Sequence, residues 1–507
     1  MAQPNCLLLS LLFGAGSLWA DQQADDAITM LRNRIAEQER QIESLRQALE
    51  EQKRLLDSLA PRPAPAPQAS SVEQQKPPSP LSIPIGSALF TPGGFLDLTI
   101  LNRTTNVGSG TPTAFGTIPF NNSAAGHLGD TRYSAQGSRL SLRVDTQFRA
   151  TKVTALAEAD FLGNAPANLA VSSNSGSLRM RHFYVNLDRA RFSILGGQTW
   201  SLLTPGRKGI SANSQAVFFG QNLDPNYQVG LAWSRDPQLR FVYKANEQFT
   251  VAASVEAPEQ YNAGTVIYPK NLRDTYPAQF NDGSANSRTP NDIGDIVAKA
   301  AYDNNWHGRN LHVELVGMHR RFKAYNHGAG RSYTQPGFGG SVNGLLEVRN
   351  DLNLVVTTFA SSGGGRYIFG LGPDAAAHPD GDLTPVHAYS GIAGFEYTHR
   401  PRVSATGSDT LFYGYYGGAY FQRVVVIDQD GSLAGFGFSG SSTNSNRNLH
   451  QATFGVNQNI WRNPNYGALR VLSQYSYLLR TPWSVPANHP KNAKVNMVYV
   501  ALRYELP

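Results

Sequence analysis

From Phe90 to Pro507 the dominant pattern of polar and apolar side chains has a period of two. Arg139, Ser141, Arg143, Asp145 and Gln147 are interleaved with Leu140, Leu142, Val144, Thr146 and Phe148. Lys152, Thr154, Glu158 and Asp160 are interleaved with Val153, Ala155, Ala157, Ala159 and Phe161. Near the end, Val498, Val500, Leu502, Tyr504 and Leu506 share one face. A period of two is the side-chain period of a β-strand, and one greasy face opposite a strongly polar one calls for oil on one side and water on the other. A soluble sandwich carries the same alternation, so the pattern alone does not separate the two.

The connections do. The pattern predicts sixteen strands, near 94–103, 138–148, 152–162, 178–187, 191–199, 228–244, 247–257, 294–303, 309–323, 338–349, 351–361, 390–400, 409–425, 449–461, 467–480 and 494–506. Long connections at 104–137, 163–177, 200–227, 258–293, 324–337, 362–389, 426–448 and 481–493 alternate with tight ones such as 149–151, 245–246 and Asn350. Outer-membrane barrels have this asymmetry, with tight periplasmic turns and long external loops. An even strand number also returns both ends of the barrel to the periplasmic rim. Pro237 lies inside the sixth strand and predicts a bulge there, because proline cannot donate a ladder hydrogen bond. Trp233, Tyr302, Trp306, Tyr397, Tyr413, Tyr415, Phe421, Trp461, Tyr475 and Tyr477 fall on or near strand ends, as interfacial aromatic girdles would.

Upstream, the period changes. Ile28, Leu31, Ile35, Gln38, Ile42, Leu45, Leu49, Gln52, Leu56 and Leu59 recur at spacings of three and four, flanked by Glu, Gln and Arg. A stripe of that period buries itself against other helices, which predicts a coiled coil over residues 21–60 with a seam of about 48 Å at 1.5 Å per residue. An amphipathic helix lying on the chain's own body is the alternative. Residues 61–84 are rich in proline and read as an extended spacer of up to roughly 70 Å. Residues 1–20 carry no charge and hold a short apolar core, C-L-L-L-S-L-L-F, followed by small residues. They read as a secretory signal peptide cleaved after Ala20 or after Ser17; a retained anchor is disfavoured by the shortness of the apolar stretch.

Composition narrows the class further. Charged residues make up 16% of the 507, against about 25% in a soluble domain. The single Cys6 rules out an intramolecular disulfide framework and any Cys-rich metal site. Beyond the N-terminus no run of about 18 apolar residues occurs, which excludes a bundle of membrane-spanning helices and leaves a barrel open. Residues 21–60 contribute −3 and residues 61–84 contribute +1, so the chain's net +7 leaves +9 on residues 85–507.

The runs S-L-R-M-R-H-F-Y-V-N-L at 177–187 and I-L-G-G-Q-T-W-S-L-L at 194–203 resemble the DcaP-like trimeric porins. So do A-E-A-D-F-L-G at 157–163, R-D-P-Q-L-R at 235–240, and the order of signal peptide, coiled coil, linker and barrel. The resemblance covers most of the chain. It implies a sixteen-stranded barrel, a homotrimer, a periplasmic coiled coil and the passage of small organic acids. The C-terminus departs from it, since Leu506 and Pro507 follow Tyr504 in place of a terminal aromatic.

A barrel of sixteen strands is too wide for its own side chains to fill and encloses water. Charged groups at its narrowest part then set ion preference. The resemblance implies that the third long connection, 200–227, folds inward, since related porins narrow their pores there; it carries Arg207, Lys208 and Asp224, together with apolar Val217, Phe218 and Phe219 that an exposed tip does not need. Alternation points Arg139, Arg143, Arg240 and Lys244 into the lumen, with Arg179 and Arg181 beside them. Confined guanidiniums attract carboxylates through charge and paired hydrogen bonds. The alternative is that these arginines brace the wall by pairing with Glu158, Asp160 and Asp145. Basic groups elsewhere suit contact with anionic lipopolysaccharide.

The expectation is therefore an all-β transmembrane barrel with an N-terminal coiled coil, set in outer-membrane lipid and passing small anionic solutes. Periplasmic cell-wall components are a further partner for the coiled coil, and neither a cofactor nor nucleic acid is expected. An adhesin or tether is the competing function. Catalysis finds little support: His312, Glu314 and His319 do not form H-E-x-x-H and lie on a strand, and no P-loop occurs. A hydrolase would need a Ser/His pair on the barrel wall, and a soluble secreted binding protein is the last alternative.

Overall fold

The computed structural model describes residues 34, 36–48, 50–51, 79–164, 173–174, 176–212, 217, 221–283, 289, 291–401 and 408–507. They belong to two units, residues 1–77 and 78–507. In the first, residues 36–48 are helical, and the seam residues Ile42 and Leu45 are exposed on the single chain. The signal peptide, the rest of the heptads and linker residues 61–78 lie outside the described residues.

The second unit is a closed antiparallel barrel. Its strands are β1 (Ala88–Arg103), β2 (Asp130–Ser134 and Arg139–Phe148, one interrupted strand), β3 (Thr151–Asp160), β4 (Arg179–Arg189), β5 (Phe192–Trp200), β6 (Arg235–Lys244), β7 (Phe249–Glu256) and β8 (Asp295–Trp306). There follow β9 (Arg309–Asn326), β10 (Arg331–Arg349), β11 (Leu352–Ser362), β12 (His387–His399), β13 (Thr410–Phe421), β14 (Asn446–Asn463), β15 (Gly467–Pro482) and β16 (Ala493–Glu505). Consecutive strands pair throughout, and β16 closes on β1 from Phe95↔Glu505 to Arg103↔Met497. All sixteen predicted strands are present. The departing C-terminus is still knitted into the rim, where the Leu506 N–H donates to the Gly94 carbonyl at 3.1 Å. Ser79 Oγ donates to the Pro507 carbonyl at 2.9 Å, which brings the two ends of this unit together. Ile83–Ile85, at the end of the predicted linker, already pairs with β1.

The barrel is inside out by the standards of a soluble core. On β1, Leu96 and Leu98 are 56% and 47% exposed, whereas Asp97 and Thr99 are 6% and 4% exposed. The same inversion recurs at Leu140, Leu142, Phe183, Val185, Phe241, Leu315, Val342, Phe454, Val498 and Leu502, all exposed. So large an apolar exterior is stable only when lipid covers it. Tight turns join the strands at one rim; between β8 and β9, His307 (φ 50°) and Gly308 (φ 77°) make a two-residue turn with both residues left-handed, the geometry that suits strand twist.

Three expectations need correction. First, the sixth strand starts at Arg235, not near residue 228, and has no bulge, since Gln198↔Pro237 stays in register. The Pro237 carbonyl accepts the Ala257 N–H at 2.9 Å, so the missing N–H costs only the last rung of the ladder with β7. Second, the long connection predicted at 324–337 is only residues 327–330, because β9 and β10 stay paired out to Asn326↔Arg331. Third, Trp233, Tyr413, Tyr415 and Phe421 are buried inside the barrel and form no girdle. The predicted Trp306 and Tyr397 are exposed near the tight turns, joined there by Phe148, Phe192, Tyr243, Phe249, Phe412 and Tyr466.

Candidate permeation site

Between β5 and β6, the described residues 201–212, 217 and 221–234 fold across the interior. The wall carries acceptors for the loop's backbone, which strand pairing leaves unsatisfied. Glu256 Oε1 accepts the Leu202 N–H at 2.9 Å, Glu314 Oε2 accepts Gly206 at 3.0 Å, and Asp303 Oδ2 accepts Gly209 at 2.9 Å. Lys299 Nζ donates to the Thr204 carbonyl at 2.8 Å and to Glu314 at 3.0 Å. Farther along, Arg207 forms a two-pronged pair with Glu396 on β12 at 2.5 and 2.8 Å. On the opposite wall, Gln474 accepts the Leu223 N–H at 2.6 Å, Gln451 accepts Val229 at 2.8 Å, and the Tyr499 hydroxyl donates to Asp224 at 2.8 Å. The loop is thus fixed to strands from β7 round to β16.

Glycine lets it lie flat. A Cβ on Gly417 of β13 would stand 1.9 Å from the Val229 carbonyl oxygen, and one on Gly230 would stand 2.2 Å from the Gly391 carbonyl oxygen. The loop's Val217, Tyr227, Leu231 and Trp233, with Trp200, pack on inward-facing Val355, Ile392, Tyr413 and Tyr415. Phe218 and Phe219 fall outside the described residues. The interior is accordingly part apolar filling and part polar passage, not the uniformly wet hollow expected from strand number alone.

Beside this loop the basic residues converge. A register shift between Glu158 and Ala159 opposite β4 turns both Arg181 and His182 inward, while Met180 and Phe183 stay outside; re-aiming a side chain is a common use of such a bulge. Arg181 donates to Glu158 at 2.8 Å, to Asp160 at 3.0 Å and to the Tyr227 hydroxyl at 3.2 Å. Arg179 grips both Asp160 oxygens at 2.9 and 2.8 Å. Arg143 pairs with Asp145 at 2.6 Å, and Lys244 with Glu247 at 3.0 Å near the tight-turn rim. These pairs brace the wall. Arg240 is buried and donates to Gln238 at 3.0 Å and to the Trp200 carbonyl. Lys208 is exposed on the loop. Arg139 lies 5.1 Å from the Phe95 ring, whose other neighbour is Arg503 at 4.1 Å. It has no carboxylate partner among the described residues.

Arg235 completes the group and went unpredicted. It sits 5.0 Å from the Trp200 ring and 5.6 Å from Trp233, again with no carboxylate partner among the described residues. Its place at the head of the run R-D-P-Q-L-R, two residues before Pro237, gave no sign of facing the lumen. Five guanidiniums, those of Arg139, Arg179, Arg181, Arg235 and Arg503, meet three carboxylates, Asp97, Glu158 and Asp160. Burial alone would push the Tyr227 hydroxyl up, but the positive field of Arg181, Arg139 and Arg235 outweighs it and holds its pKa at about 8. Lys299 and Glu396 were also missed. A lysine between Ala298 and Ala300 on an otherwise apolar run was the available signal for the first.

No protein-family profile matches the chain, and no curated protein sequence matches it. Solved structures do. The outer-membrane channel DcaP of Acinetobacter baumannii superposes with a TM-score of 0.57 at 17% identity, over 83% of this chain and 98% of that one. An anion-selective porin from Comamonas acidovorans gives 0.44 at 12% identity, over 83% and 100%. OmpF of Salmonella typhi in complex with daunomycin gives 0.44 at 10% identity, over 84% and 100%. Closed strand order, inverted polarity and the superposition on DcaP agree: the chain has the DcaP-like porin fold.

Proposed function

We propose that the chain is an outer-membrane porin through which small hydrophilic solutes diffuse passively, with preference for anions such as mono- and dicarboxylates. One observation carries the preference: Arg139 and Arg235 line the side of the inward loop without carboxylate partners among the described residues, beside pairs that are already neutralised. A carboxylate offers such a group both charge and paired acceptor oxygens, and a confined low-dielectric wall strengthens the attraction. The direct test is the zero-current potential across a planar bilayer in a potassium chloride gradient. A potential of the sign set by chloride supports the reading, and clear cation preference sinks it.

Tyr227 adds a pH dependence. As pH rises through about 8 its hydroxyl loses a proton and places a negative charge among Arg181, Arg139 and Arg235. Anion preference is therefore expected to fall between about pH 7 and about pH 9, while ordinary tyrosines stay neutral until about 10. The Tyr227→Phe protein should show a flat profile over that interval. An unchanged slope in the variant would mean that some other group titrates the passage.

The finer features belong to the same proposal: export by the signal peptide, a homotrimer with outer-membrane lipid and lipopolysaccharide around it, and a periplasmic coiled coil over residues 21–60. Ile42 and Leu45, exposed on the single chain, suit a seam closed by other copies. Deleting residues 21–60 is expected to leave conductance intact and weaken assembly or envelope attachment. Equal trimer stability on native gels, with equal retention in envelope fractions, would count against that role.

A further inference from the structure

The connection between β11 and β12, residues 363–386, enters the barrel as well. Its first turn, G-G-G-R-Y, leaves no room for side chains: a Cβ on Gly363 (φ 86°) would stand 2.5 Å from the Phe322 ring, and one on Gly365 would stand 2.4 Å from the carbonyl oxygens of Gly372 and Pro373. What holds this turn in place is charge. Arg320 on β9 reaches Asp295 at 2.9 Å and the loop's Asp374 at 3.0 Å, and also donates to the Gly363 carbonyl. Arg366 on the loop reaches Asp295 at 2.9 Å and Asp236 on β6 at 3.5 Å, and the Tyr367 hydroxyl donates to Asp295 at 2.9 Å. Burying several charges to tether an external loop is a poor route to stability, because desolvation offsets most of the attraction. It is a good way to fix a loop in one position.

That position is against the first inward loop. The Trp233 N–H donates to the Tyr367 carbonyl at 2.8 Å, Trp233 and Ile368 form a parallel backbone bridge, and Trp233 stacks on Phe369 at 5.6 Å with 24° between the rings. Asp236, the acceptor for Arg366, lies three residues beyond Trp233. The two loops are joined by backbone, by rings and by an ion pair.

We propose that residues 363–386 are a second constriction element, joined to the first inward loop at Trp233 as one partition, and that Arg366 is the positioning residue that sets the size limit for solutes. The assignment rests on the porin reading and adds a determinant of size that is separate from the arginines of the anion site. Releasing Arg366 frees the second loop to swing away from Trp233 and widens the passage, while Arg139 and Arg235 keep the sign of the ion preference.

The test uses the full-length protein in liposomes and planar bilayers, with Arg366→Ala and Arg366→Lys compared after heat-shift gels have shown folding. Arg366→Ala is expected to raise single-channel conductance by about two-fold, since conductance follows the narrowest cross-section. It should also admit larger neutral sugars in swelling assays, with the zero-current potential keeping its sign and Arg366→Lys returning part of the size limit. A folded Arg366→Ala protein with the wild-type sugar limit overturns the second constriction and leaves the porin reading standing. A silent wild-type protein overturns the porin reading instead. A second variant reads the junction independently of Arg366 and of conductance. Trp233→Cys with Ile368→Cys, in a chain whose one native cysteine is Cys6, is expected to cross-link on mild oxidation in native membranes. Failure to cross-link overturns the joined partition.

Discussion

Replacing Arg139 and Arg235 together with glutamate is expected to reverse the ion preference of the pore. Each is a guanidinium beside the inward loop with no carboxylate partner among the described residues, so its charge is not already cancelled locally. A unit charge about 8 Å from a passing ion in water contributes roughly 0.5 kcal/mol before screening. Two reversals change the charge by four, which leaves on the order of 1 kcal/mol for each ion after salt screening. Anion and cation move in opposite directions, and the permeability ratio shifts by about ten-fold or more, a factor of ten being about 1.4 kcal/mol. The zero-current potential in a salt gradient should change sign. Arg143→Glu, by contrast, removes a pair with Asp145 near the rim and is expected to shift the potential less. Equal shifts from the two experiments would mean that the lumen's net charge matters and the site does not.

The second large effect concerns packing. Gly417→Val cannot be accommodated under the inward loop, because even the first carbon of the new side chain would stand 1.9 Å from the Val229 carbonyl oxygen. A Cβ on the neighbouring Gly230 would stand 2.2 Å from the Gly391 carbonyl oxygen and 2.9 Å from the Gly418 backbone, so there is little slack in which to retreat. Overpacking of this kind costs about 1–3 kcal/mol where the surroundings give way. Here the loop gives way, since β13 is held by its neighbours along its whole length. The barrel should still fold and shift on heated gels, while the loop loses the Val229–Gln451 hydrogen bond and becomes cleavable by added protease. Conductance should rise with it. Gly414, on the same strand, is no such seat: a Cβ there would meet the Phe395 and Phe454 side chains and not the loop, and Gly414→Ala is expected to conduct as wild type. A Gly417→Val pore with wild-type conductance and protease resistance would show that the loop does not rest there.

How much of this was written in the chain differs by element. Strand alternation was fully legible: Arg139 to Phe148 is a strand because each residue's polarity is dictated by lipid or lumen, independent of anything distant. Loop asymmetry was legible as well, apart from the β9–β10 connection, where polar residues above the membrane stay paired and the lipid-driven pattern fades. The inward fold of the third connection was expected from the resemblance, with its apolar residues in support. Its anchors could not, because Arg207 and Glu396 are 189 residues apart and no local pattern marks one as the partner of the other. Arg181 faces the interior, but the bulge that also turns His182 inward is a backbone event at Glu158/Ala159 with no sequence mark. Tyr413 and Tyr415 looked like girdle residues because an aromatic at a strand end reads the same facing lipid or facing a loop in the lumen. The arginines divide by their partners. Arg143, Arg179, Arg181 and Arg207 have carboxylates; Arg139 and Arg240 have none among the described residues.

A barrel set in lipid fixes which side of each strand faces the bilayer, and neighbouring residues on β2 report it. Leu142→Cys and Arg143→Cys, each carrying a fluorescent label in proteoliposomes, separate the two sides. The Leu142 label should be quenched by a lipid-borne quencher and shielded from a water-soluble one, with the Arg143 label behaving the other way round. Both labels quenched from water alone, or the assignments exchanged, would contradict a barrel with an apolar exterior and a polar passage within.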